Sequence, residues 1–135
     1  MKEVFCDTHY FVALLNPEDS WHERALELTD SLGDTQYITS QYIFLELLNF
    51  FSAYGPRLRS QTVEYIERAP NESNVMVIAQ SDDLLEQGLE LYKQRHDKSY
   101  SLTDCISMSI MRERRIANVL SSDAHFVQEK FTLLM

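Results

Sequence analysis

The chain has 135 residues, 44% of them hydrophobic, a net charge of −9 and a pI near 4.8. That length reads as one domain over residues 1–135, and the apolar content closes a core without disulfides, which excludes global disorder. The acidity excludes binding to a polyanion by bulk charge, but a local Arg patch or a bound cation leaves nucleic acid open as a partner.

Glu3 to Asp7 reads as a short buried strand, and Tyr10 to Leu15 as a brief helix ended by Asn16-Pro17. Ser20, with Glu23 three residues on, has the layout of a capping box for a helix carrying Trp21, Ala25, Leu28 and Leu32 and stopping at Gly33. Tyr37-Ile38-Thr39 is a second strand. Ser40 caps a helix to about Tyr54, apolar nearly all round and therefore expected to be largely buried. Gly55-Pro56 breaks it, Leu58 to Ala69 forms the next helix, and Val75 to Ile78 is an apolar strand. Ser81 and Asp82 open an amphipathic helix expected to point Leu84, Leu85, Leu89 and Tyr92 inward. Ser101 caps a helix through Arg114, Ala117 to Leu120 is the fourth strand, a helical turn spans Ala124 to Gln128, and Phe131 to Leu134 is the last strand. Short buried strands alternating with helices predict an α/β domain with a mostly parallel sheet covered on both faces.

Cys6 and Cys105 share no C-x-x-C spacing and read as reduced, buried side chains of a cytoplasmic protein. The start at Met1 has no signal-peptide layout, and the apolar runs are too short for a membrane span. There is no glycine-rich phosphate loop and no G-x-S-x-G elbow.

Four acids stand in apolar surroundings: Asp7 after Val4-Phe5-Cys6, Glu46 within Tyr42 to Leu48, Asp104 within Leu102 to Ile106, and Asp123 after Val119-Leu120-Ser121-Ser122. A buried, isolated carboxylate tends to take up a proton, so four of them make sense if the fold gathers them around a divalent cation. Each also has a structural reading. Asp7 and Asp123 fit helix caps, Asp104 closes a capping box with Ser101, and Glu46 with Asn49 fits a solvated helix edge. His9 and His125 lack partners at metal-ligand spacing, Phe126 reads as core, and His22 is expected to bond across to a loop. The run Arg112 to Arg115 has mixed charge at a helix end.

These blocks, in their order and intervals, resemble the PIN domain family, and more narrowly its VapC-like ribonuclease toxins. The likeness rests on Val4 to Thr8, Asp19 to Ala25, Glu46 after Thr39-Ser40, Leu102 to Cys105, and Leu120 to Phe126. It implies a three-layer α/β/α domain with a parallel five-stranded sheet. It further implies an acidic site for Mg²⁺ or Mn²⁺ at Asp7, Glu46, Asp104 and Asp123, with Ser121 in the supporting hydroxyl position where threonine is common. The implied activity is hydrolysis of RNA to 5′-phosphate and 3′-hydroxyl ends. Implied partners are an RNA substrate, a second copy of the chain in a homodimer, and a small antitoxin protein. A non-catalytic module of the same fold and a structure-specific DNA nuclease are the competing expectations.

Overall fold

Val4, Phe5, Cys6, Ile38, Val119 and Leu120 are buried to 1% exposure or less, as strands covered by helices on both faces require. A computed structural model describes residues 2–135, so Met1, in the expected start segment, lies outside it. The strands are β1 (Lys2–Cys6), β2 (Thr35–Ser40), β3 (Val75–Ile78), β4 (Asn118–Leu120) and β5 (Thr132–Leu133). The helices are α1 (Thr8–Leu15), α2 (His22–Ser31), α3 (Gln41–Phe50), α4 (Pro56–Arg68), α5 (Asp82–Gln94), α6 (Leu102–Arg114) and α7 (His125–Gln128). All strand pairs are parallel, in the order β3-β2-β1-β4-β5. This is the expected three-layer α/β/α fold.

The chain runs outward from β1 through β2 to β3, then returns to the other side of β1 for β4. The crevice beyond the carboxyl ends of β1 and β4 is therefore the point where strand order reverses, the usual ligand position in such sheets. The register extends one residue past the strands: Phe5 faces Val119, Cys6 faces Leu120, and the Asp7 amide donates to the Leu120 carbonyl at 3.2 Å.

Several local expectations are corrected. Ser20 caps nothing: Asp19 Oδ1 accepts the Trp21 amide two residues on at 2.9 Å, and this local turn defers the helix to His22. The first helix starts at Thr8, and α3 gives way at Phe51 to a 3₁₀ turn ending at Ala53. The segment from Ser40 to Tyr54 is not largely buried, because Leu45, Phe50 and Tyr54 are 45–60% exposed. On α5 the inward residues are Leu84, Gly88 and Leu91, while Leu85, Leu89 and Tyr92 face out. Gly88 decides this. A Cβ there would lie 2.4 Å from Ile106 Cγ1, so α5 and α6 meet backbone to side chain along that line. His22 Nδ1 lies 2.6 Å from the Ala13 carbonyl, in α1 and not in a loop.

Candidate metal centre

The site is built from the ends of β1 and β4 and the first turn of α6. Asp7 occupies the N-cap position of α1, yet its side chain makes no capping bond. It turns instead to Ser121, whose hydroxyl donates to Asp7 Oδ2 at 2.8 Å. The same hydroxyl oxygen accepts the Asp123 amide at 3.0 Å, so one side chain joins two acidic segments. Asp123 Oδ1 in turn accepts the His125 amide at 2.9 Å, a tight turn that brings the imidazole back over its own carboxylate.

Asp104 does close the expected capping box. Ser101 Oγ accepts its amide and Asp104 Oδ2 accepts the Ser101 amide, each at 3.0 Å. The capping and site roles coexist, because the same Oδ2 lies 3.2 Å from His125 Nδ1, which is 3.3 Å from Asp123 Oδ1. Asp104, Asp123 and His125 thus offer three ligand atoms within 4.8 Å of one another. Glu46 is half-buried on α3 and accepts a hydrogen bond from the Thr8 hydroxyl.

Electrostatics follow from this crowding. Burial, with the charges of Asp104 and Glu46 added, pushes the Asp7 carboxyl up to about 7, against the lowering effect of the Ser121 hydroxyl and the Thr8 amide. The neighbouring Cys6 thiol is raised by burial and by Asp7. Like charges crowded this way are relieved by a divalent cation among them. The donor set, carboxylate oxygens with one imidazole, is one that can chelate a divalent metal.

Of the residues expected from sequence, Asp104 and Asp123 lie within reach of a common ion. Asp7 is tied to the Asp123 backbone through Ser121, and Glu46 accepts a bond from Thr8, the residue after Asp7. His125 escapes a reading by spacing because a tight turn, not a helix, brings it to its partners. His9 also finds partners that spacing does not reveal; its Nδ1 lies 2.6 Å from Ser122 Oγ and its Nε2 3.6 Å from Asp19. The basic run is dispersed: Arg112 goes to Glu129 at 2.6 Å and Arg114 to Glu3 at 3.1 Å.

Fold and acidic cluster together define a PIN-type domain with an arrangement consistent with nuclease chemistry. Residues 4–131 match the PIN domain, and the chain belongs to that family. No curated protein matches it. The chain is similar to the crystal structure of Mycobacterium tuberculosis VapC20, a sarcin–ricin loop cleaving toxin, with 27% identity, 96% of each chain covered and a TM-score of 0.85. It also resembles FitAcB from Neisseria gonorrhoeae at 17% identity and TM-score 0.67, covering 98% of this chain and 96% of the other. VapBC2 from Rickettsia felis, bound to a DNA fragment from its promoter, aligns at 15% identity and TM-score 0.64, covering 97% and 96%. Among the described residues no helix is long and apolar enough to cross a membrane.

Proposed function

We propose that the chain, acting as one domain over residues 1–135, is a metal-dependent endoribonuclease and the cytoplasmic toxin of a toxin–antitoxin pair. Asp7, Glu46, Asp104 and Asp123 are its metal-binding acids, with His125 beside them. The observation that carries this reading is the convergence of Asp7, Asp104 and Asp123 from three distant segments at the strand-order reversal, with Asp7 raised by burial among like charges. The likeness to a toxin that cleaves the sarcin–ricin loop supports RNA as the substrate class.

When bound, Mg²⁺ or Mn²⁺ supplies Lewis-acid charge to a phosphodiester and lowers the pKa of a water. The chain's own residues hold the acids in place. Ser121 fixes Asp7 and the Asp123 backbone, Thr8 fixes Glu46, and the Ser101 cap fixes the first turn carrying Asp104. None of these acids is needed as a covalent nucleophile.

Two surface features support partners. Leu45 on α3 and Leu85, Leu89 and Tyr92 on α5 form outward positions suited to a second copy of the chain. Between the Phe51–Ala53 turn and α4 lies a cavity of about 600 Å³, with Leu48, Phe51 and Val63 set among polar and charged residues such as Asn49, Arg59 and Glu64. Asn49 is one helical turn from Glu46, so an apolar antitoxin helix seated there would carry a basic tail toward the acids.

The test is cleavage of matched RNA and DNA oligonucleotides with Mn²⁺ and with EDTA. RNA cleavage that needs the ion and is lost in Asp104→Asn is the expected result. Cleavage of DNA alone would favour a DNA nuclease, and binding without turnover a non-catalytic module.

A further inference from the structure

We propose that the cavity at the carboxyl end of α5 is a phosphate-binding subsite, holding an RNA phosphodiester that flanks the scissile bond. This rests on the nuclease reading above and adds where the polyanion is gripped. The cavity measures about 300 Å³ and is lined by Lys93, Arg95, His96 and Lys98 together with Tyr92, Tyr100 and Cys105, with no acidic side chain in its wall. In a chain of net charge −9, four of the six residues from Lys93 to Lys98 are Lys, Arg or His. A strand drawn to an acidic centre is repelled at close range, so its neighbouring phosphates need local cations.

A helix C-terminus attracts cations for its own sake, and Lys93 in the last turn of α5 fits that explanation alone. Arg95, the C-cap residue, stands at the same helix end, but its side chain is held by a specific acid instead of the helix carbonyls. Arg95 donates to Glu129 from Nε at 3.0 Å and from Nη2 at 3.2 Å, while Arg112 and Tyr100 bond the same carboxylate at 2.6 and 2.9 Å. Burial opposes ionisation of Glu129, but these three donors outweigh it and hold the carboxyl down at about 2. Two guanidinium groups on one carboxylate leave one positive charge uncompensated behind the cavity, of whose wall Arg95 is part and Arg112 is not. Lys93 and Lys98 add exposed cations at its rim, Lys98 with Asp97 at 3.5 Å.

The cavity adjoins the metal centre across one pair of packed rings. The Tyr100 ring lies 5.1 Å from the His125 ring, and His125 Nδ1 is 3.2 Å from Asp104 Oδ2. A strand crossing the acids would reach the cationic cavity by passing over the His125–Tyr100 ring pair.

The experiment measures binding of a fluorescein-labelled single-stranded RNA by anisotropy, in the Asp104→Asn background so that nothing is cut. Adding Lys93→Glu and Lys98→Glu, both at exposed positions, should weaken binding by about tenfold at ~0.1 M salt and flatten the log–log salt slope by about 0.7 for each phosphate no longer neutralised. Arg68→Glu, the same charge change per residue on α4, should match its parent. Equal affinity and slope in the double variant, or an equal loss in Arg68→Glu, would overturn the subsite. Circular dichroism confirms that the variants are folded, and Lys93→Gln with Lys98→Gln should give a smaller loss of the same sign. RNA cleavage by the wild-type residues is read separately. Its absence alongside the expected binding loss sinks the nuclease reading and leaves the subsite standing, whereas cleavage with unchanged binding does the reverse.

Discussion

Ser121 and Asp7, 114 residues apart, meet at 2.8 Å where β1 and β4 end side by side, and the Ser121 side chain is completely buried there. The bond favours the ionised form of Asp7, which burial disfavours. Ser121→Ala should therefore raise the Asp7 carboxyl further and shift half-maximal Mn²⁺ for cleavage upward by about 10–100-fold, the scale for a residue that orients a ligand. Ser121→Thr keeps the hydroxyl and should stay near wild type. A metal titration of activity checks both.

Removing a ligand charge should hurt catalysis more than folding. Asp7→Asn and Asp104→Asn are each expected to lower RNA cleavage by at least about 10²-fold. Their stabilities in EDTA should differ. Asp7→Asn relieves burial of charge and should melt at or above the wild-type temperature. Asp104→Asn removes the first-turn charge and weakens the capping box with Ser101, and should lose about 0.3–1 kcal/mol. Thermal melts separate the two, and a large loss in Asp7→Asn would assign that acid to the fold.

Two carboxyls set opposite pH slopes in the metal-free protein. Asp7 is raised from 3.8 to about 7, so the folded state holds its proton more tightly and stability falls as pH rises from about 4 to about 7. Glu129 is lowered from 4.5 to about 2, so its contribution is present above about 4.5 and is lost as pH falls toward 2. Denaturant unfolding in EDTA should show the first slope disappear in Asp7→Asn while the second persists.

Added Mn²⁺ should raise the melting temperature by mass action, because the unfolded chain has no clustered acids. Calorimetry with and without the ion is the measurement. A shift of the same size in Asp7→Asn would put the ion elsewhere.

Gly88→Ala should destabilise by about 1–3 kcal/mol, although alanine favours helix. The added Cβ meets Ile106 Cγ1 at 2.4 Å, and Ile106 is 2% exposed in the core with little room to withdraw. Chemical denaturation would show the sign.

The order of elements and the strand-end acids were legible because apolar strands bounded by turn residues leave a strong local pattern. The buried face of α5 was not. Leu84, Gly88 and Leu91 compete with Leu85, Leu89 and Tyr92 at equivalent helical spacing, and the deciding residue has no side chain to signal itself. The Ser20 cap failed because Asp19 offers a closer acceptor, a choice between neighbours that spacing leaves open. His125 stayed hidden for a related reason: its position over Asp104 arises from the Asp123 turn and from strand packing, neither of which has a periodicity.

The strand-order reversal also has a temporal consequence. Asp7 is synthesised more than a hundred residues before Ser121, Asp123 and His125, and β4 must dock beside β1 before they meet it. Because this pairing is non-local, it forms only after the intervening chain has been made. The nascent polypeptide therefore carries its acids dispersed and inert while synthesis proceeds. A chain able to cut RNA would assemble its cutting edge only once β4 and the turn that follows it had been translated.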